Sequence, residues 1–227
     1  MIVELKDIFK SYSEGEDNPR RNILDSFNLL INFDESISIV GPSGCGKTTL
    51  LNILGTLDKP DSGEVIFKGE LVTHMNDDQL SKLRAEKIGF IFQSHYLLPQ
   101  ISVIENVILP TLAVNRKHNK SIIFDEAESL LNQVGLKKQV HKFPSQLSGG
   151  EKQRVAIVRS LINKPNLILA DEPTGSLDKS RGEDIIDLLK SLCVNNQTSL
   201  VVVTHDVEIA SQMKRRLYYK NSDFIES

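Results

Sequence analysis

The densest chemistry in the chain lies at Gly41-Pro42-Ser43-Gly44-Cys45-Gly46-Lys47-Thr48. The run fits G-x-x-x-x-G-K-[ST], whose glycines let successive backbone N–H groups turn inward around phosphate oxygens. Lys47 adds a mobile positive charge, and the Thr48 hydroxyl can ligate Mg²⁺. A lysine in a first helical turn faces the wrong end of the helix dipole, at a cost of ~0.3–1 kcal/mol, and a bound anion reverses that sign. The plainer alternative is a glycine-rich turn from strand to helix.

Two further segments carry chemistry. Leu167-Ile168-Leu169-Ala170-Asp171-Glu172 is an apolar strand ending in two acids, at the edge where open α/β sheets bind ligands. Asp171 is placed to hold Mg²⁺ or its waters, and Glu172 to orient and deprotonate an attacking water. Neighbours on a strand point to opposite sides, so the two roles are sterically compatible. The competing reading is a pair of solvated acids opening the turn at Pro173. Leu147-Ser148-Gly149-Gly150-Glu151 is a second helix start. Ser148 and Glu151 make a capping box. Two adjacent glycines in a first turn cost ~1 kcal/mol each relative to alanine, and they suit close approach of an anion to the backbone. Capping box and second phosphate site both stand at this point.

These residues need a scaffold. Ile2 to Phe9 has strand character, and the polar stretch Ser13 to Arg21 reads as a surface loop. Ile37 to Val40 is a strand running into Gly41, and Thr48 to Leu54 a helix stopped by Gly55 at C′. Asp61-Ser62-Gly63 signals a turn before a strand at Glu64 to Lys68, and Ile88 to Phe92 is another strand. From residue 94 to 163 helical patterns take over, at Ser102 to Val114, Phe124 to Val134 and Gly149 to Ile162. Strands return at Leu167 to Ala170 and Ser199 to Thr204, around a helix at Arg181 to Cys193. Short apolar strands alternating with helices predict an α/β fold with a mostly parallel sheet covered on both faces. The expected organisation is one domain over 1–227, with a core of 1–93 and 164–227 and an inserted helical subdomain of 94–163.

Bulk properties exclude several classes. The chain has 227 residues, 40% hydrophobic and 25% charged, ample for a core. A net charge of −3 gives no reason to expect a nucleic-acid partner. No apolar run reaches the ~18 residues of a membrane span, and the N-terminus lacks the build of a signal peptide. Two cysteines suggest neither a disulfide framework nor a metal site, which reads as a reducing cytosolic compartment. His74, His95, His118 and His141 have no metal-like spacing and read as surface residues.

Leu147-Ser148-Gly149-Gly150-Glu151-Lys152-Gln153-Arg154-Val155-Ala156 closely resembles the signature motif of ATP-binding cassette (ABC) ATPases. Across nearly the whole chain the other motifs follow in order. Gly41 to Thr48 resembles Walker A, and Leu167 to Glu172 Walker B. Gln93 matches the Q-loop glutamine, which contacts Mg²⁺ and the attacking water. Ser176-Leu177-Asp178 matches the D-loop at the dimer interface. His205 matches the switch histidine that contacts the γ-phosphate. Tyr12 sits where the family stacks an aromatic ring on adenine; on residues alone, Tyr12 is an ordinary half-buried tyrosine and His205 a satisfied strand-end histidine.

The resemblance implies a P-loop NTPase core with an N-terminal antiparallel β portion. It also implies an ATP and Mg²⁺ site held by Tyr12, Gly41, Ser43, Gly44, Cys45, Gly46, Lys47, Thr48 and Thr49 of one copy. A second copy closes over it with Ser148, Gly149, Gly150 and Asp178, in a homodimer. Catalysis falls to Glu172, Gln93 and His205, and the metal to Thr48, Gln93 and Asp171.

The segments 90–99, 105–110 and 171–178 are similar to a narrower group, which includes macrolide exporters, lipoprotein-releasing ATPases and the cell-division ATPase. That group works with a separate integral membrane permease, which places such a chain at the cytoplasmic face of the membrane. Ile101, Val103, Ile104, Val107 and Ile108 read as mostly core, with one edge of the segment offered to a permease helix. Transport, non-transport mechanical signalling through a membrane partner, and a P-loop small-molecule kinase are the competing functions; the kinase leaves the signature segment unexplained. Three departures stand out. Cys45 replaces the usual serine, Asp34-Glu35 replaces the usual Gly-Glu turn, and Tyr218 to Ser227 lacks the customary Asp-Gly hairpin.

Overall fold

A computed structural model describes residues 1–13, 20–114, 120–220 and 223–226. Most of the expected loop at 13–21, namely 14–19, and His118 lie outside those residues. In chain order the elements begin with β1 (Val3–Tyr12), β2 (Arg21–Ile31), β3 (Ser36–Val40), α1 (Lys47–Leu54), β4 (Ser62–Phe67) and β5 (Glu70–Leu71). Next come α2 (Asp77–Lys87), β6 (Ile88–Phe92), α3 (Val103–Ile108), α4 (Lys120–Gln133) and α5 (Gly149–Leu161). The chain continues through β7 (Leu167–Asp171), α6 (Lys179–Asn195), β8 (Ser199–Thr204), α7 (Val207–Ser211), β9 (Arg215–Lys220) and β10 (Asp223–Glu226).

Four strands make an antiparallel sheet in the order β2-β1-β4-β5, and six make a second sheet in the order β10-β9-β3-β8-β7-β6. The second sheet is parallel except where β10 pairs with β9. Its central strands β3, β7 and β8 are buried on both faces, so period-2 alternation sorts their side chains into two cores. Leu167, Leu169, Val201 and Val203 pack with Leu50, Leu51 and Ile53 of α1 and with the antiparallel sheet. Ile168, Ala170, Leu200 and Val202 face the other way, against α3, α5 and α6.

The parallel register sets the functional edge. Val40 pairs with Thr204, Asp171 with Val203, and Phe92 with Asp171. The strands therefore end level, and the next residue of each is Gly41, His205, Glu172 or Gln93, or its near neighbour.

Several boundaries differ from the sequence expectation. Gly55 does not take the left-handed C′ conformation: it is the C-cap, with φ −85. Thr56, one residue later, has φ 55. Gly55 is instead needed for space, because a Cβ there would collide with the Phe90 ring and Leu169. The expected turn at Asp61-Ser62-Gly63 is displaced, since Ser62 and Gly63 belong to β4. Gly63, at φ +97, lies against the Lys6 and Asp7 carbonyls where β1 bulges. The helix expected at Ser102 to Val114 stops at Ile108 and continues as a 3-10 turn over 109–113, because Pro110 brings no N–H to the helix. Asp34 takes φ 56, a conformation aspartate tolerates better than most residues, so the turn before β3 forms without glycine. The final hairpin also forms without Asp-Gly, Lys220 pairing with Asp223.

Candidate functional site

The loop after β3 wraps the start of α1. Gly44 and Gly46 have φ +78 and +101, which only glycine adopts freely. A Cβ on Gly46 would also strike Ile23, and one on Gly41 would strike Cys45 and Tyr219. Ser43 is exposed on the loop. Cys45 turns its side chain into the core and is 5% exposed, so only its backbone faces the loop. Lys47 is buried, and its Nζ donates to the Gly41 and Pro42 carbonyls at 2.7 and 2.8 Å. The loop's own carbonyls thus hold the ammonium until a better anion competes for it.

Thr48 Oγ1 donates to Asp171 Oδ2 at 3.2 Å. Burial pushes the Asp171 carboxyl up and the Glu172 charge adds to this, while the Thr48 bond and Lys47 oppose it. A half-buried carboxylate in that state gains from a nearby cation. Among the described residues no cluster of three or more His, Cys, Asp or Glu could hold a metal ion. Thr48 and Asp171 would offer a cation two oxygen ligands, the number Mg²⁺ commonly takes from protein beside substrate phosphates and waters.

Glu172 sits one residue beyond the strand at φ 46, an uncommon conformation for a side-chain-bearing residue. Its N–H donates to the Val203 carbonyl at 2.9 Å, and its own carbonyl accepts from Gly175 at 3.0 Å. Its Oε1 lies 2.8 Å from His205 Nδ1. An ionised carboxylate only accepts, so the Nδ1–H tautomer donates. The Glu172 side chain is 19% exposed and that of His205 70%, so the histidine orients the acid from the solvent side. The sequence offered these two residues separately; the structure brings them into one pair.

Gln93 is exposed after β6 and lies against the α-carbon of Gly175. A Cβ there would come 2.7 Å from Gln93 Nε2. The amide end is flexible, so Gly175→Ala is expected to move Gln93 rather than unfold the turn, with stability within about 0.5 kcal/mol of the parent. If Gln93 acts at this edge, turnover falls, by up to about 10²-fold for a displacement near 1 Å. Parallel melting curves and steady-state rates check this, and an unchanged rate would release Gln93 from the site.

Ser148, Gly149 and Gly150 open α5, away from the phosphate loop in sequence. The capping box is present: Ser148 Oγ accepts from the Glu151 N–H at 3.3 Å, and Glu151 Oε2 accepts from the Ser148 N–H at 2.8 Å. Ser148 and Gly149 are exposed, and nothing lies within 4 Å of a Cβ built on Gly150. Asp178 is exposed and caps α6, accepting from the Arg181 N–H at 3.0 Å. Tyr12 is 40% exposed at the end of β1, tethered through its hydroxyl to Asp58.

Two residues were missed. His95 is not a plain surface histidine: it is half-buried, and its Nε2 lies 3.2 Å from the Gly149 carbonyl. Burial, then the nearby charges of Lys152 and Arg159, hold its pKa below the ordinary value against two carbonyl bonds. Arg159 donates to the His95 and Tyr96 carbonyls at 2.6 Å each. It thereby supports two successive left-handed residues, at φ 60 and 48. The left-handed pair is a tertiary feature that the local sequence around Arg159 does not display.

Comparison with known proteins identifies the family. The family described as ABC transporter matches residues 24–175. The lipoprotein-releasing system ATP-binding protein LolD of Shewanella oneidensis is 42% identical over 221 residues, covering 97% of this chain and 94% of LolD. The macrolide export ATP-binding/permease protein MacB of Pasteurella multocida is 41% identical over 224 residues, which is 99% of this chain and 34% of that longer protein. A dimeric post-hydrolysis structure of the ATP-binding cassette MJ0796, bound to ADP and Pi, superposes with a TM-score of 0.89. It is 41% identical, and the match covers 100% of this chain and 98% of that one. The chain belongs to the ABC transporter family, as one of its ATP-hydrolysing cassettes.

Proposed function

We propose that two copies of this chain close on two ATP molecules and drive an integral membrane partner of the kind served by LolD and MacB. Each ATP lies on Gly41, Ser43, Gly44, Cys45, Gly46, Lys47, Thr48 and Thr49 of one copy, with its base on Tyr12. Ser148, Gly149, Gly150 and Asp178 of the other copy complete the site. This arrangement is isologous, so one interface makes two equivalent sites. Thr48, Asp171 and Gln93 would hold Mg²⁺, which would supply charge neutralisation at the phosphates. Glu172 takes the proton of the attacking water, oriented by His205.

The observation that carries the reading is Gly150. Among the described residues it has no crowding neighbour, and its conformation is helical. A bare glycine there costs helix stability for no internal reason, which is explained if another copy's phosphate must approach the backbone. Gly150→Ala is therefore expected to raise stability by about 1 kcal/mol and to lower ATP turnover. Denaturant melts and phosphate release measure both, and a stabilised variant with undiminished turnover would refute the role.

Residues 94–163 form the helical subdomain that carries this half-site, and 1–93 with 164–227 the core. At their junction lies an apolar groove of about 370 Å³, lined by Leu57, Phe90, Phe92, Pro110, Ala113 and Arg159 among others. It suits an apolar helix of the permease. Among the described residues no helix is long and apolar enough to cross a membrane. The proposed attachment is to the cytoplasmic face, through that partner.

A further inference from the structure

Lys10 and Tyr12 are two residues apart on β1, so their side chains leave the same face. Lys10 is only 7% exposed, and lysine is almost never buried without partners. Its Nζ donates to Asp58 Oδ1 at 2.8 Å and to the Lys59 carbonyl at 2.7 Å, with Asp61 Oδ1 at 3.9 Å. The same ammonium stands 5.1 Å from the centroid of the Tyr12 ring, inside the ~6 Å reach of a cation–π contact. Asp58 uses its other oxygen on the ring's tip, accepting the Tyr12 hydroxyl at 2.6 Å. One carboxylate thus holds both the cation on the ring's face and the hydroxyl at its end.

The anchors are themselves anchored. Asp58 Oδ1 also accepts the Lys59 N–H at 2.7 Å. Asp61 accepts from the Ser11 N–H and hydroxyl, each at 2.9 Å, and its own N–H donates to the Phe9 carbonyl at 2.9 Å. Burial pulls the Asp58 carboxyl up, but donation by Lys10 and Tyr12 outweighs this and holds it below its ordinary value. The carboxylate stays charged at neutral pH.

We propose that Lys10 and Asp58 are positioning residues that hold the Tyr12 ring as a preset, one-sided platform for the nucleotide base. This rests on the reading of Tyr12 as the base-stacking residue. Lys10 occupies one face of the ring and leaves the other for the base. A ring fixed beforehand loses less freedom on binding. The network therefore favours ligands with a planar base and adds nothing to the grip on the phosphates.

The test compares binding of ATP and of inorganic tripolyphosphate, both with Mg²⁺, by calorimetry on the full chain. Tyr12→Ala is expected to weaken ATP by about 5- to 150-fold and to leave tripolyphosphate unchanged. Tyr12→Phe keeps the ring and removes its tether. Asp58→Asn removes the negative charge that holds Lys10 over the ring and one of the two acceptor oxygens. Each is expected to weaken ATP by about 2- to 12-fold with tripolyphosphate unchanged. If Tyr12→Ala loses ATP but Tyr12→Phe and Asp58→Asn bind it like the parent, the positioning role is overturned and stacking survives. If Tyr12→Ala binds ATP normally, stacking and positioning fall together. Should Asp58→Asn weaken both ligands, its fold is disturbed and Tyr12→Phe decides.

Discussion

Glu172→Gln is expected to lower ATP turnover by about 10²–10⁴-fold with nucleotide affinity near that of the parent. Glutamine has nearly the same shape and can still accept from His205 Nδ1, which now lies 2.8 Å from the carboxylate. The left-handed backbone at 172, φ 46, is no harder for glutamine than for glutamate. What disappears is the ability to take a proton. Such a loss lowers kcat without touching ground-state binding. Steady-state phosphate release with calorimetric ATP binding separates the two. A variant within a few-fold of the parent rate would mean that another group deprotonates the water.

Ser148→Arg is expected to abolish hydrolysis while each isolated chain still binds ATP. Ser148 is exposed at the start of α5, on a different element from the phosphate loop. The substitution also removes a helix cap, at a cost of about 0.5–2 kcal/mol, which a cassette with two buried cores can bear. Ser148→Ala removes the same cap without the bulk. It is expected to keep more hydrolysis than the arginine variant at similar stability. Loss of ATP binding by isolated Ser148→Arg chains would place the segment in its own chain's site instead.

The parts of the fold legible in the sequence were those in which burial and pattern coincide. Ser199–Thr204 is buried on both faces and Ile88–Phe92 on one, and the bounds of both match the apolar runs. Other elements left weaker traces. α2 buries only Leu80, so no apolar stripe marks it, and its sequence signal is the Asn76–Gln79 capping box. β2 alternates exposed and buried residues irregularly, through a bulged pairing with β1.

At the site, the phosphate loop and the acids were legible because glycine and carboxylate chemistry is local. The Glu172–His205 pair was not, because it depends on β7 and β8 ending level. The tether of His95 to Gly149 likewise joins residues more than fifty positions apart, and spacing cannot report it. Nothing near Lys10 in sequence marks its burial, because Asp58 and Asp61, which close around it, lie some fifty positions away.

We propose that each ATP is shared between the Gly41–Thr48 loop of one copy and the Ser148–Gly150 helix start of another. Light-scattering mass of Glu172→Gln, with and without ATP and Mg²⁺, tests it most directly. The 25.4 kDa chain is expected to double in mass only with ATP, and to remain single when Ser148→Arg is added to the same chain. A single chain at saturating ATP, or an ATP-dependent dimer indifferent to Ser148→Arg, would contradict the shared site.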